Sequence, residues 1–327
     1  MRAISLFSGG LDSMLAIKLI TQQGIDVVAL HIKTGFGSRK EIEDQLSKRA
    51  KMAGATLKVV DVREKYIQDI LFNPKYGYGK NFNPCIDCHG YMFKIANLMR
   101  KELNASFLIT GEVVGQRPMS QRREALDYVK ELTTDKENLI LRPLSAKLLP
   151  PTTPELKGWV DREKLLDIKG RNRSRQLQMA KEFGWEDFES PAGGCLLTEP
   201  IYSAKLREFI KYDKFESEDI EILKYGRHFR LPDGAKLIVG RDLEDNIALK
   251  KIEVSKYIPF SLPIKGPFSL ISKNASLKDL ELGAKIALTY GKSDINQLYE
   301  IEISGYKFKL SPFESKKEAQ KYFFNAF

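Results

Sequence analysis

The chain has 327 residues, 43% of them hydrophobic, and a formal net charge of +10. That is enough apolar material for two or three packed domains, and no run approaches the roughly 18 apolar residues of a helical membrane span. The cationic excess favours a polyanionic partner such as nucleic acid, the plainer alternative being a solvated basic surface.

Residues 2 to 7 read as a buried strand rather than a charged leader, so a cytoplasmic chain is expected. Leu11, Leu15, Leu19 and Ile20 recur at helical spacing, with Gly24 placed to end the helix. DVVALHI (26–32) is a second strand. Ser38 is a candidate cap for a helix running to about Met52, and TLKVVD (56–61) is a third strand. A helix over 86–103, the strand SFLIT (106–110), a helix within 119–131 and NLILRPL (138–144) complete the series. Strands alternating with helices predict an α/β fold with a doubly wound, mostly parallel sheet, whose ligands sit outside the carboxyl ends of the strands. Four segments fall at such ends: the loop 8–13, His31 with KTGFG, TGEVVGQ (110–116) and RPLSAKLLPPTTPE (142–155).

Residues 145–200 are rich in Pro, Gly and charge, with one helix expected in 173–183, and read as the end of the first domain wrapping over its mouth. From 201 to 327 the texture is that of a smaller α+β domain. A hairpin is expected over 228–249, with an Asp-Gly turn at 233–234, and a helix over 277–291.

The segment between the first strand and helix is SGGLDS (8–13). A glycine turn opening a helix is an anion cradle, but the usual mononucleotide loop also needs a lysine, absent here. The Ser8 and Ser13 hydroxyls and the Gly9 and Gly10 N–H groups suffice to line a pyrophosphate nest. Asp12 reads as a ligand of Mg²⁺ rather than of phosphate. An ordinary Gly-rich turn is the alternative. In this context the hexapeptide resembles the SGGxDS signature of the PP-loop ATPases. The resemblance implies a PP-loop (HUP-like) domain over 1–200 that holds the β- and γ-phosphates of ATP as departing pyrophosphate and transfers AMP.

TGEVVGQRPMSQ (110–121) looks like the TGExxGQxxSQ segment of tRNA 4-thiouridine synthetases, and NPCIDCH (83–89) resembles the NPCxxC stretch of tRNA thiolation enzymes. SPAGGCLLTEP (190–200) adds a third cysteine. These resemblances imply ATP-dependent thiolation of a tRNA uridine, 4-thiouridine first and 2-thiouridine as the alternative. They place His31, Thr110, Gly111 and Gln116 in the ATP pocket beside the loop. Arg117, Arg142 and Lys147 are candidate cations at the α-phosphate, and Glu112 is either a general base or a helix-terminal carboxylate.

An odd set of three cysteines does not read as a disulfide framework. Neither the RNA-binding region nor the rhodanese domain of bacterial 4-thiouridine enzymes is evident, so RNA binding and sulfur supply are expected to be solved differently. Cys85, Cys88 and Cys195 are expected to act in catalysis with Asp12 and to hold a 4Fe–4S cluster whose open iron binds hydrosulfide. A persulfide relay, zinc with His89 as fourth ligand, and inert thiols remain alternatives. The sulfur donor is expected to be sulfide or a cysteine desulfurase.

DGAKLIVGRDLEDNIAL with GAKIALTYGKS resembles the NFACT-type RNA-binding domain. Arg227, Arg230, Lys236 and Arg241 are the expected phosphate contacts, near Tyr225 and Phe229, which suit stacking; a solvated basic hairpin is the alternative. The expected partner is tRNA, with a homodimer plausible. Two rivals stand: a PP-loop ligase acting on a small molecule, and an RNA-binding module with a vestigial loop.

Overall fold

Strand β1 (Arg2–Leu6) is buried along its centre because it runs through the middle of a sheet. In the computed structural model, which describes residues 1–37, 43–188, 194–253 and 255–324, the chain divides into two units, Met1–Thr198 and Glu199–Phe327. In unit 1, α1 (Leu11–Thr21) follows β1 and is buried on nearly every side, as its apolar sequence requires. Gly24, at φ +77°, lets the chain leave it. Next come β2 (Asp26–Lys33), α2 (Glu43–Ala53) and β3 (Thr56–Asp61). The expected Ser38 cap lies outside the described residues.

Helix α3 (Arg63–Tyr66) runs into a π-helical turn (Ile67–Leu71) that the sequence pattern did not announce. After it come α4 (Cys85–Met99), β4 (Phe107–Thr110), α5 (Arg123–Thr133) and β5 (Ile140–Leu141). The short α6 (Thr153–Leu156) and α7 (Ser174–Glu182) end the unit's helices. The five described strands are all parallel, in the order β3-β2-β1-β4-β5. Chain order reverses at β1, so a ligand crevice is expected between the loops after β1 and β4. Leu6 pairs with both Leu30 and Thr110, so β1 and β4 end level while β2 runs on to Lys33.

Unit 2 begins with α8 (Pro200–Tyr212), whose Tyr202 hydroxyl and Lys205 ammonium donate to Ile220 O and Gly226 O, and continues with the short α9 (Asp219–Ile222). Strands β6 (Arg227–Arg230) and β7 (Lys236–Val239) form an antiparallel hairpin, Gly234 taking φ +99° in the expected turn. The hairpin does not extend to 249. Asp242 accepts the Asp245 N–H and caps α10 (Leu243–Lys251), converting that stretch to helix. Next come β8 (Tyr257–Phe260), β9 (Ser269–Ser272) and α11 (Leu277–Thr289). The hairpin of β10 (Tyr299–Ile303) and β11 (Tyr306–Leu310) precedes α12 (Lys316–Gln320). Strands β6-β7-β9-β8 make one antiparallel sheet over a core that includes Phe229, Leu237 and Ile271. Among the described residues no helix is long and apolar enough to cross a membrane.

Candidate active site

The Ser8–Ser13 turn sits where β1 hands over to α1. Gly9 takes φ +74°, and a Cβ there would lie 2.6 Å from Leu46 Cδ2. Gly10 is extended and caps the helix. Its N–H donates to Ser8 Oγ at 3.3 Å, and Ser13 Oγ donates to its carbonyl at 2.7 Å. The two serine hydroxyls end 3.5 Å apart at the N-terminus of an 11-residue helix, where the dipole favours an anion.

Loop β4–α5 presses directly on this turn. A Cβ on Gly111 would stand 2.5 Å from both the Asp12 carbonyl carbon and the Ser13 nitrogen, so no side chain fits. Five residues on, Gln116 Nε2 donates to Asp12 Oδ2 at 2.6 Å, while Gln176 Nε2 donates to Gln116 Oε1 at 3.1 Å. The other carboxylate oxygen of Asp12 lies 3.3 Å from Arg173 Nη2. Arg173 and Gln176 arrive on a segment stitched to the same loop. Gly170 N–H donates to Val114 O, and Ser145 Oγ bridges Val114 N–H to Ile168 O. Arg173 Nε and Gln176 Oε1 are buried with no hydrogen-bond partner among the described residues. Arg142 Nη2 is unpartnered as well, and since buried polar atoms are nearly always satisfied, these atoms leave positions open to a ligand or a water.

The cation beside Asp12 is therefore Arg173, which the sequence reading missed. Of the three expected cations, Arg142 is bound to Glu112, Lys147 reaches Glu163, and Arg117 is exposed. His31 is buried, with Nδ1 2.9 Å from Phe7 O. A carbonyl only accepts, so Nδ1 carries the proton and ties β2 to the start of the loop. Thr110 is buried at the end of β4, opposite Leu6.

Glu112 is only 3% exposed. Its Oε1 accepts from His89 Nδ1 at 2.8 Å and its Oε2 from Arg142 Nε at 2.9 Å. Burial pushes the carboxyl up, but Arg142 and His89 together hold it below the usual carboxylate range. So held, it is a poor general base, and the expectation of that role is replaced by one of positioning. His89 is thereby engaged by Glu112.

The three cysteines, none of them in a disulfide, come from two segments. Cys85 and Cys88 occupy the first turn of α4, and Cys195 follows Gly194 in a loop whose residues 189–193 lie outside the described part. That loop is laced to the segment leading into the cysteine helix: Phe82 N–H donates to Leu197 O, and Asn81 Nδ2 donates to Thr198 O at 2.6 Å. Leu196 N–H donates to Phe36 O, beside a β-bridge between Gly37 and Cys195. The buried Tyr66 hydroxyl is hydrogen-bonded with Cys88 and feels the charge of Cys195 and Cys85 as well. Asn83 Nδ2 donates to Cys85 Sγ at 3.1 Å. Burial, reinforced by Cys195, Cys85 and Asp87 and opposed by the Tyr66 hydroxyl, pushes the Cys88 thiol up to about 12. Among the described residues, no three His, Cys, Asp or Glu side chains are grouped to hold a single metal ion.

In unit 2 the expected phosphate contacts separate. Lys236 is fully buried, with its ammonium on Glu208, and Arg230 is clamped by Glu208 and Asp213. Alternation along β7 puts Lys236 on an inner face, so its assignment to phosphate, and that of Arg230, is corrected to a structural ion-pair cluster. Arg241, half exposed, is paired with Asp245. Arg227 lines a surface cleft. Phe229 is a core residue and not a stacking platform.

Residues 1–147 match the family model for thiamine biosynthesis protein (ThiI), and residues 226–323 match the NFACT protein RNA binding domain. A tRNA-specific 2-thiouridylase MnmA of Dehalococcoides mccartyi is 35% identical over 115 residues, 32% of each chain. A probable tRNA sulfurtransferase of Thermococcus kodakarensis is 26% identical over 182 residues, 55% of this chain and 43% of its own. A solved 4-thiouridine synthetase–RNA complex with bound ATP is similar at TM-score 0.40 and 20% identity, over 68% of this chain and 52% of that one. The chain spans about a third to a half of the length of the curated relatives it matches. Unit 1 thus carries a ThiI-type PP-loop domain, and unit 2 an NFACT-type RNA-binding domain.

Proposed function

We propose that this chain is a cytoplasmic, ATP-dependent tRNA uridine thiolase, which adenylates a uridine carbonyl and replaces its oxygen with sulfur, forming 4-thiouridine. One observation carries the reading: the anion turn and the thiols are links of a single contact chain. Gly111 packs on the backbone of Asp12, its neighbour Glu112 holds His89, and His89 stands one helical turn from Cys85.

The chemistry follows from these groups. A uridine carbonyl oxygen is a poor leaving group, and attack by that oxygen on the α-phosphorus of ATP makes it part of AMP, a good one. The Ser8–Ser13 turn retains the departing pyrophosphate. Arg173, with its unpaired Nε, neutralises charge gathering at the α-phosphate. Asp12 keeps one lone pair on each carboxylate oxygen for Mg²⁺ beside the Gln116 and Arg173 contacts. Hydrosulfide then adds to the ring carbon, its proton is lost, and AMP leaves with the former carbonyl oxygen.

Cysteine thiolates are soft donors of the kind that iron–sulfur clusters take. Cys85, Cys88 and Cys195 would hold one, and a cluster so held supplies an open iron position for sulfide. The donor would be sulfide or a cysteine desulfurase. The 2-thiouridylase relatives support 2-thiouridine as a second product reading.

The test is anaerobic. Protein reconstituted with iron and sulfide is incubated with unmodified tRNA, ATP, Mg²⁺ and sulfide, and the digested nucleosides are read by mass spectrometry beside a Cys195→Ala control. A thiouridine that needs ATP and Cys195 is the expected result, and its retention time names the isomer. ATP–pyrophosphate exchange without tRNA, and no thionucleoside, would instead assign a small-molecule ligase.

A further inference from the structure

A cleft of about 420 Å³ opens in unit 2, lined by Arg227, Tyr290, Lys316, Gln320 and Phe323. These residues come from the start of β6, the end of α11 and the stretch from α12 to Phe323. Two features set the cleft apart from an incidental surface dent.

The first is its charge. The Arg227 guanidinium lies 4.7 Å from the centre of the Tyr290 ring, and the Lys316 ammonium lies 5.7 Å from the same centre. Two cations are thus gathered around one ring. Neither has a carboxylate within ion-pair distance among the described residues, although most other cations of unit 2's interior do. Like charges held together without a counter-charge repel, and an arriving anion relieves that cost.

The second is rigidity. Phe229, fully buried, packs its ring 5.9 Å from Tyr290 and 5.5 Å from Phe323, and Phe229 and Phe323 also form a β-bridge. Arg227 Nη1 is fixed by the Gly240 carbonyl at 3.2 Å. The aromatic wall and one cation are therefore set by the core before any ligand binds, which lowers the ordering cost of binding.

A preformed wall of aromatic rings with a guanidinium over one of them, two unneutralised cations and a Gln amide at the rim is suited to one kind of ligand. It offers a π-face to a base, charge to a phosphate, and a donor–acceptor pair to a base edge. The volume lies in the range of small-ligand pockets and suits a single nucleotide. We propose that this cleft is a nucleotide subsite that takes one unpaired nucleotide of the RNA substrate. Its phosphate binds at Arg227 and Lys316, and its base lies against the Tyr290–Phe323 wall. The assignment rests on the reading of unit 2 as the RNA-binding part of a tRNA-modifying chain. It replaces the buried Lys236 and Arg230 with a surface that RNA can reach.

Adjacent lysines of α12 provide the test. Lys316 lines the cleft, Lys317 does not, and both are exposed, so Lys316→Gln and Lys317→Gln change net charge equally. Binding of full-length protein to an unmodified tRNA transcript is measured by fluorescence anisotropy over a salt series. Lys316→Gln should weaken binding about three- to tenfold and lower the salt slope by about one, while Lys317→Gln leaves both unchanged. Tyr290→Leu should weaken binding about tenfold with a smaller change in slope, because a stacking contact carries little of the salt dependence. Equal effects of the two lysine changes would overturn the proposal, leaving only a diffuse basic surface. UMP binding that is lost in Lys316→Gln while tRNA binding persists would overturn it differently, by assigning a free mononucleotide. Thiolation in the assay above is read separately: a chain that binds tRNA through this cleft but makes no thiouridine sinks the reaction and keeps the subsite.

Discussion

His89 Nδ1 and Glu112 Oε1 lie 2.8 Å apart, and this contact joins the helix that bears Cys85 and Cys88 to the loop that bears Gly111 and Gln116. It is anchored from behind, since the second oxygen of Glu112 is taken by the buried Arg142. Sulfur delivery and phosphate binding therefore share one carboxylate as a fixed point. Movement of either part relative to the other would have to break a buried, charge-assisted bond.

Glu112→Gln removes that fixed point and leaves the Arg142 charge buried and unpaired. A loss of about 3–5 kcal/mol in urea unfolding is expected, the range for breaking a buried ion pair from one side. Glu112→Gln with Arg142→Met should recover part of it, because both charges are then gone. The pH dependence has a defined sign. The folded carboxyl is held below its ordinary value, so its stabilisation is complete above about pH 4.3 and fades as pH falls through the depressed value. Glu112→Gln should lack that acid limb. An unchanged acid limb would remove Glu112 from the account.

Arg173 makes a kinetic prediction. If it neutralises the α-phosphate, Arg173→Gln should lower single-turnover AMP formation by about 10²-fold or more with little change in unfolding midpoint. Arg173→Lys keeps the charge but loses the planar fork, and should recover only part of the rate. A large stability loss with a normal rate in the folded fraction would make Arg173 merely the structural partner of Asp12.

The glycines of the site differ in kind. At Gly111 the obstacle to a side chain is backbone, which cannot step aside; at Gly9 it is the end of a flexible leucine together with a positive φ. Gly111→Ala should therefore abolish ATP binding in calorimetry by pushing the loop off α1. Gly9→Ala should weaken binding and cost about 1–2 kcal/mol of stability. Equal, small effects would mean that the loop rides more loosely on the helix than this packing implies.

What could be read in the sequence was what lies close together in it. SGGLDS carries its strand, its turn and its helix within a dozen residues, and the alternation of strands and helices gave the sheet class. Arg173 and Gln176 could not be found that way, because nothing local distinguishes RNRSRQ from a solvated basic run. Arg173 reaches Asp12, and Gln176 the Gln116 that holds it, on a segment tied to the β4–α5 loop by the hydrogen bonds of Val114, Ser145 and Gly170. Lys236 misled for the opposite reason: its charge suggested phosphate, whereas its counter-charge, Glu208, sits 28 residues away on α8. The helix over 243–251 was legible in Asp242 and Asp245, a cap with an acidic first turn, but the preceding KLIVG pattern of β7 drew the strand reading past it.

Lys205 offers a test of how well unit 2's interior is understood. It is 5% exposed, and its ammonium donates to two carbonyls, Leu223 O at 3.0 Å and Gly226 O at 3.2 Å, with no carboxylate in ion-pair contact among the described residues. Burial, with help from Arg241 and Lys236 and opposition from Asp245, brings its pKa down to about 7. The unfolded chain holds that proton until about pH 10.4. Between those values the unfolded state binds more protons, so Lys205 makes stability rise with pH, by at most about 1.4 kcal/mol per unit, and contributes no slope below about pH 7. Lys236, brought down to about 8, adds a slope of the same sign, so the measurement is the difference between wild type and Lys205→Met. Trp159 and Trp185 both lie in unit 1 and report its unfolding by fluorescence, while circular dichroism follows both units. The wild-type unit 2 transition should gain stability relative to Lys205→Met from pH 7.5 to 9.5, with the tryptophan transition unmoved. Parallel curves for the two proteins would mean that Lys205 is hydrated in solution, and that the α8 face of unit 2 is open to water.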